Sequence, residues 1–216
     1  MSARDNILGN IRAALSRNRP LTDTEAASVR TALRENRRGP LPTMAWDPLP
    51  RFRERCVSLS STVDEVASLE LLPAAVKRYL EANNLPRACV CWPQFAGLDW
   101  GGAGLAVQAR AATSEDPVGI TGAFCAIAES GTLMLLSGAG TPLKNSLLPE
   151  THVAVVHASR IVRCIEDGWG LLRREHGSLP RQVAFVSGPS RTGDIEMTLV
   201  IGIHGPYRVH IVLVGT

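Results

Sequence analysis

The chain is organised around residues 183–206, VAFVSGPSRTGDIEMTLVIGIHGP. It opens with a four-residue apolar run, Val183–Val186, which ends at Ser187-Gly188-Pro189. A short apolar run that stops at a turn is typical of a buried parallel strand. The pattern therefore predicts a strand of an α/β sheet with a polar turn at its carboxyl end, where ligands bind in such sheets.

The turn after this strand carries hydroxyls, a guanidinium and backbone N–H groups within a few residues. Such groups bind anions. Asp194 can hold Arg191 by a forked hydrogen bond, or it can cap the element that begins at Ile195. The other interpretation is a capped turn without a ligand. The candidate ligand-binding residues of this stretch are Gly188, Ser190, Arg191, Thr192, Asp194 and His204.

Glu129 is the candidate catalytic residue. It lies between two apolar runs, 118–127 and 132–137, which predict a hairpin or a strand pair joined at residues 128–131. A carboxylate between buried runs is costly unless it is paired, exposed in a cleft or protonated. We expect burial to raise the pKa of Glu129 unless Arg191 or Lys144 supplies positive charge. The alternative is an ordinary exposed turn carboxylate.

The composition indicates a soluble globular protein with one core, since 45% of the 216 residues are hydrophobic and 20% are charged. The net charge of +3 is uneven, because residues 1–55 contain 11 Arg against 6 acidic residues. These arginines follow two amphipathic patterns without interleaved aromatic residues. The pattern favours solvated helix faces over a nucleic-acid-binding surface.

Five cysteines occur without a C-x-x-C pair. We therefore expect no metal site and no iron–sulfur or zinc ligands in this chain. The odd cysteine count and the absence of a signal-peptide pattern at Met1-Ser2-Ala3-Arg4-Asp5 favour a reduced, cytoplasmic setting. No apolar run approaches the ~18 residues that a membrane span requires, so no span is expected.

Residues 1–48 predict a helical segment and a proline-rich linker, and residues 49–216 predict an α/β domain. Ser2 with Asp5 and Thr22 with Glu25 resemble capping boxes at the starts of helices 3–17 and 23–36. We expect residues 1–40 to pack loosely or to reach a partner chain.

Within the domain, alternating strand and helix patterns predict a layered α/β sheet of six or seven strands. A long helix is expected over 63–83, with Pro73 kinking or breaking it. A second helix is expected over 161–174. The other predicted elements are a short helix at 50–57 and strands at 87–92, 103–109, 152–157 and 209–214.

Ordered motifs in the chain resemble those of the lactate utilization protein C family, whose members contain a LUD domain. The motifs are ITGA (120–123), IAESGTL (127–133), LPETHV (148–153), GPSRTGDIE (188–196) and GIHGP (202–206). Ser130 and Gly193 stand where the family pattern has Thr and Ala. The added backbone freedom at Gly193 loosens the turn that contains it.

The resemblance implies a Rossmann-like, three-layer α/β/α sheet, similar to the phosphosugar isomerase and CoA-transferase group. It also implies a subunit of a multiprotein complex that oxidises L-lactate to pyruvate. This subunit would bind no cofactor itself, iron–sulfur clusters would be held by partner subunits, and its turn would bind a small carboxylate or contact a partner.

Two other functions stay open. One is a stand-alone CoA-transferase-like or isomerase-like enzyme that uses Glu129 as nucleophile or base. The other is an ATP-dependent enzyme similar to the folate cyclo-ligases, although the glycine-and-tyrosine signature and the basic phosphate loop of that group do not occur in the sequence.

Overall fold

The computed structural model describes residues 2–16, 19–35, 38–195 and 198–216. Several positions named in the predictions lie outside these ranges: Met1, Arg17, Asn36, Arg37 and Glu196. The chain forms two compact units, Met1–Thr43 and Met44–Thr216.

The first unit contains two helices, α1 (Ala3–Ala14) and α2 (Asp23–Glu35). Ser2 Oγ accepts a hydrogen bond from the backbone N–H of Asp5, and Asp5 Oδ2 accepts one from the backbone N–H of Ser2. Thr22 and Glu25 make the same reciprocal pair before α2. The predicted capping boxes are therefore confirmed, and they explain where both helices begin.

The centre of the second unit is a six-stranded sheet in which every pair of neighbours is parallel. Three of its strands are buried over all or nearly all of their length, as expected for a sheet covered on both faces. The predicted α/β fold class is confirmed. In spatial order the strands are β1 (Thr62–Val66), β12 (Arg208–Val214), β7 (Thr151–His157), β4 (Val118–Gly122), β2 (Ala88–Cys91) and β3 (Ala106–Ala109).

A second, four-stranded sheet packs on the same core, in the order β8 (Ile161–Val162), β5 (Cys125–Ile127), β6 (Thr132–Leu136) and β9 (Val183–Val186). Its side chains alternate between two environments. Leu133 and Leu135 belong to the main core, whereas Met134 and Leu136 cluster with Leu172 of helix α5 (Ile165–Glu175). The predicted strand pair that joins at Glu129 is confirmed as the antiparallel pair β5–β6.

The prediction that Val183–Val186 is a buried parallel strand is wrong. β9 runs antiparallel to β6, with Val186 opposite Leu133, and it forms an edge of the second sheet. Phe185 is exposed. A four-residue apolar run fits a half-covered edge strand as well as a central strand, so the pattern alone could not distinguish them.

The predicted long helix over 63–83 is also wrong. Its first part is β1, which pairs with β12, and its last part is helix α4 (Leu72–Ala82). Pro73 occupies the first turn of α4, where a missing N–H costs nothing. The predicted helix over 161–174 likewise begins with β8 before α5 starts.

Two further elements frame the functional region. Helix α3 (Pro48–Ser58) begins at its cap Asp47 and buries Phe52 and Cys56 in the main core. An antiparallel hairpin, β10 (Arg191–Ile195) and β11 (Thr198–Ile201), occupies much of the segment predicted as a turn. Across the ranges that the structure describes, no helix combines the length and apolar character needed to cross a bilayer.

Candidate ligand-binding site

Two motif-bearing loops meet at the C-terminal end of α3. We call this region the α3 junction: residues 55–60 of α3 and its C-cap, the turn 128–132, and the loop 187–191. Gly131 has φ +67°, and a Cβ on it would lie 2.9 Å from Arg55 Cβ. Gly188 has φ +75°, and its Cβ would lie 2.5 Å from the Leu59 carbonyl oxygen. Both positions therefore require glycine for conformation and for close approach.

Arg191 is exposed and lies at the end of α3. Its Nη2 donates to the Leu59 carbonyl oxygen at 3.0 Å and to Ser60 Oγ at 2.7 Å. A cation that binds the last carbonyls of a helix interacts favourably with the helix dipole. Helix capping is therefore an alternative explanation for the presence of Arg191 in this polar segment.

The expected fork between Arg191 and Asp194 is not formed in the described part of the chain. Asp194 instead accepts a hydrogen bond from Thr192 Oγ1 at 3.0 Å, and Thr192 Oγ1 in turn accepts the backbone N–H of Asp194. This arrangement follows from the hairpin, because the two residues belong to an extended strand rather than to a tight turn. Asp194 therefore organises its own strand end.

Ser190 connects the junction to the last motif of the chain. Its backbone N–H donates to the Pro206 carbonyl, and its carbonyl accepts the N–H of Gly202, both at 2.9 Å. His204 lies in the exposed loop between these two partners. The structure thus brings Ser190 next to Gly202 and Pro206 of the last motif.

A chain of hydroxyls crosses the junction. Ser130 Oγ lies 2.8 Å from Thr132 Oγ1, which lies 2.6 Å from Ser187 Oγ. Thr132 is buried, with 6% of its surface exposed. These bonds join the turn that contains Glu129 to the loop that leads to Gly188.

Glu129 is partly buried at one end of the second sheet, in the turn that joins its two inner strands. Its backbone N–H donates to the Arg163 carbonyl at 3.0 Å. Burial raises the pKa of its carboxyl group, and the negative charges of Glu166 and Asp167 raise it further. The predicted direction of the pKa shift is therefore confirmed. A carboxyl group of this kind accepts a proton more readily than an exposed one.

A separate cavity of about 450 Å³ lies at the carboxyl ends of β2 and β4. Trp92 follows β2 and Ala123 follows β4, while the loop 137–141 after β6 and residues 176–180 after α5 supply the other walls. The chain leaves β2 for β3 on one side and leaves β4 for β7 on the other. Strands that diverge in this way form the crevice in which open α/β sheets bind ligands.

The floor of this cavity is fixed by close contacts. A Cβ on Gly122 would lie 2.6 Å from Gln94 Nε2, so the glycine leaves room for the glutamine amide. Trp92 Nε1 donates to the Pro142 carbonyl at 3.0 Å, which holds the indole in place. Gly122 and Ala123 belong to the first sequence motif, ITGA.

None of the predicted site residues lines this cavity. The predicted strand 87–92 and the apolar run 118–127 include Trp92 and Ala123, but the patterns do not show that the strands end just before these residues. The rule that ligands bind at the carboxyl ends of parallel strands predicts a site after Val183–Val186, but this strand is antiparallel. Knowing which strands are parallel neighbours is necessary to locate the crevice.

The cysteines are dispersed through the core. All five are free and buried, and burial raises the pKa of the thiols of Cys56 and Cys89 to about 12. These thiols stay protonated at neutral pH, whereas metal ions bind thiolates. Within the described ranges, no three His, Cys, Asp or Glu side chains are grouped so that they could hold a metal ion.

These features define an α/β domain with a crevice at the carboxyl edge of its parallel sheet. The model of the LUD domain family matches residues 94–214. Lactate utilization protein C from Exiguobacterium sp. strain AT1b is 38% identical over 177 residues, which cover 77% of each chain. The chain therefore belongs to the LUD domain family, and the resemblance identified from its motifs is confirmed.

Other relatives match over a shorter region. Lactate utilization protein C from Halalkalibacterium halodurans is 42% identical over 100 residues, and the protein of the same name from Bacillus subtilis strain 168 is 38% identical over 101. These matches cover 45% of this chain, but only 44% and 42% of the two relatives. The chain thus matches less than half the length of each of them.

A solved structure supports the fold. The crystal structure of a DUF162 family protein from Deinococcus radiodurans superposes with a TM-score of 0.57 and is 26% identical in sequence. The match covers 81% of this chain and all of that protein.

Proposed function

We propose that this chain acts in lactate utilization. The observation that carries the proposal is the 38% identity to the Exiguobacterium protein named Lactate utilization protein C, because it extends over 77% of both chains. A match of this extent covers more than three quarters of each chain. The names of the other two relatives agree with it.

We further propose that the chain is a subunit of an L-lactate-oxidising complex in which partner proteins hold the iron–sulfur clusters. Two features of its cysteines support this assignment. Within the described ranges they are not grouped with other potential ligands into a metal-binding cluster, and burial raises the pKa of their thiols, so that they stay protonated. A chain of this kind would contribute binding and positioning, while electrons would pass through the clusters of its partners.

The α3 junction is the part of the chain that we assign to this role. Arg191 is exposed while two hydrogen bonds fix its orientation, so its remaining N–H groups can meet a carboxylate of lactate or of a partner chain. Gly188, Ser190, Thr192, Asp194 and His204 would shape the surrounding surface. Glu129 would face the same surface from the turn 128–131.

One observation favours a second function. The raised pKa of Glu129 suits a general base or a nucleophile, as in a stand-alone CoA-transferase-like or isomerase-like enzyme. Such an enzyme would work without iron–sulfur partners. The two functions therefore differ in whether the purified chain is active alone.

The test is to delete the gene from its host and measure growth on L-lactate and on glucose. We expect growth on L-lactate to be lost, growth on glucose to be kept, and the wild-type gene to restore the loss. Affinity purification of the tagged chain from lactate-grown cells should also yield iron-containing partner proteins. Undiminished growth on L-lactate would contradict the proposed role. CoA-transferase or isomerase activity of the purified chain without partners would favour the second function.

A further inference from the structure

The cavity at the carboxyl ends of β2 and β4 has a chemistry unlike that of the α3 junction. Its lining in the described part of the chain includes no Lys, Arg, Asp or Glu. The lining is mostly apolar and aromatic, and its hydrogen-bonding side chains are those of Gln94, Ser137, Thr141, His176 and Ser178. A small carboxylate or a phosphate would lose its hydration there without meeting a lysine or an arginine, which is unfavourable.

The arginine that contacts the cavity residue Phe124 is already paired with a carboxylate. Arg160 makes a two-pronged salt bridge with Glu175, at 2.7 and 2.9 Å, and its Nε donates to the Phe124 carbonyl. Its guanidinium also lies 4.7 Å from the centre of the Phe124 ring. These contacts neutralise Arg160 and hold Phe124 in place, so the arginine is not left to attract an anion into the cavity.

The aromatic surfaces of the cavity are held in fixed positions. Phe124 packs edge-to-face with His176, with ring centres 5.6 Å apart, and the hydrogen bond of Trp92 to Pro142 fixes the indole. Aromatic side chains that are already ordered stack on a flat ring without a further entropy cost.

The polar groups of the cavity can both donate and accept. Ser137 Oγ accepts the backbone N–H of Gln182, which leaves its hydroxyl hydrogen to donate. Thr141 Oγ1 donates to the Leu136 carbonyl, which leaves its lone pairs to accept. The amide of Gln94 supplies one donor group and one acceptor. Neutral donors and acceptors of this kind match the carbonyl and N–H groups on the edge of a heterocycle.

We propose that this cavity binds an uncharged, flat heteroaromatic compound of two or three fused rings that has carbonyl and N–H groups on its edge. Its volume of about 450 Å³ is suited to such a ligand, since pockets for drug-sized molecules are about 300–1,000 Å³, whereas a lactate-sized anion would leave most of it empty. The position at a switch point of the sheet agrees with a ligand site. The inference concerns a site distinct from the α3 junction and does not depend on a role in lactate utilization.

The test uses lumichrome, an uncharged tricyclic heterocycle, and follows its fluorescence polarisation on titration with the purified full-length chain. We expect saturable binding that an excess of L-lactate does not reverse. Gln94→Ala should weaken binding about tenfold, the effect of losing one well-placed hydrogen bond. Gln108→Ala is the matched control, because Gln108 is also exposed but lies on edge strand β3, away from the cavity.

A second variant is needed because Gln94 is exposed and its removal could change binding only slightly. Ala123→Trp places a large side chain in the cavity and should abolish binding, provided that its melting temperature shows a folded protein. Absence of saturable lumichrome binding to the wild-type chain would overturn the proposal. So would displacement by L-lactate, or binding that both variants leave unchanged while folded. Because growth on lactate is not measured here, failure of this site is distinguishable from failure of the proposed function.

Discussion

The α3 junction and the cavity both contain motif glycines that lie against neighbouring atoms, but the neighbours differ in kind. At the junction, Gly188 faces the backbone carbonyl of Leu59, which the helix fixes in place. In the cavity, Gly122 faces the terminal amide of Gln94, which can move. Gly188 therefore allows close packing of the backbone, whereas Gly122 leaves room for a side chain at the floor of the cavity. A sequence motif marks both without distinguishing the two purposes.

The largest effect of a single substitution is expected from Gly188→Ala. The variant combines a left-handed backbone conformation with a clash against Leu59, so it should destabilise the protein by about 3 kcal/mol. Gly122→Ala should cost less than about 1 kcal/mol, because Gln94 can rotate away. Chemical denaturation of both variants measures the difference.

The control for these two variants is Gly193→Ala, since a Cβ at that position would meet nothing within 4 Å. It should leave stability nearly unchanged. Equal costs for Gly188→Ala and Gly122→Ala would show that the two regions do not differ in the way described.

The next effect is a loss of stability in acid that originates in the parallel sheet. His152 and His210 are buried, and burial lowers the pKa of each from 6.5 to about 4. As the pH falls, these histidines bind protons in the unfolded chain before they do so in the folded chain. Their contribution to the stability of the fold is therefore complete above pH 6.5 and is lost as the pH falls towards 4. Each histidine should contribute about 3 kcal/mol to this loss.

Free energies of unfolding measured between pH 7 and pH 4.5 test this prediction. His210→Gln should remove roughly half of the pH dependence if the two histidines contribute equally. His157→Gln is the control, because that histidine is exposed at the end of β7. A pH dependence that both variants leave unchanged would assign the acid sensitivity to other groups.

A smaller effect on stability, with a larger one on function, is expected from Arg191→Lys. The variant keeps the charge at the end of α3 but loses the planar guanidinium, so it should cost about 1 kcal/mol or less. If Arg191 binds a carboxylate, growth on L-lactate of the complemented deletion strain should fall severalfold. Arg181→Lys, at another exposed arginine, should support normal growth. Equal growth of the two strains would leave Arg191 only its role at the helix end.

The smallest effect on stability belongs to Glu129→Gln. Because the pKa of Glu129 is raised in the folded state, ionisation destabilises the fold as the pH rises through that pKa. The variant should therefore be slightly more stable than the wild type at pH 7, by less than about 1 kcal/mol, and the gap should close below pH ~4.

If Glu129 is a working group, the same variant should also abolish growth on L-lactate while remaining folded. Glu115→Gln, at an exposed glutamate, is the control. Unimpaired growth together with an unchanged pH profile of stability would make Glu129 an ordinary turn residue.

Local signals in the sequence were sufficient for several features. The capping boxes at Ser2 and Thr22, the strand pair around Glu129 and the α/β class all follow from patterns within a few residues. The motifs were also sufficient to identify the family. The errors came where one local pattern fits two structures, as in the apolar run Val183–Val186 and the stretch 63–83.

Sequence patterns alone were enough to predict the α/β class, the strand pair on either side of Glu129 and membership of the LUD domain family. Only the tertiary structure decided that β9 is antiparallel, that Arg191 binds the end of α3, and that a cavity lies between the ends of β2 and β4. The physical reason is that periodicity reports the environment of a segment's own side chains. Strand direction, helix-end contacts and crevices depend on partners distant in the chain, and nothing within a local window specifies those partners.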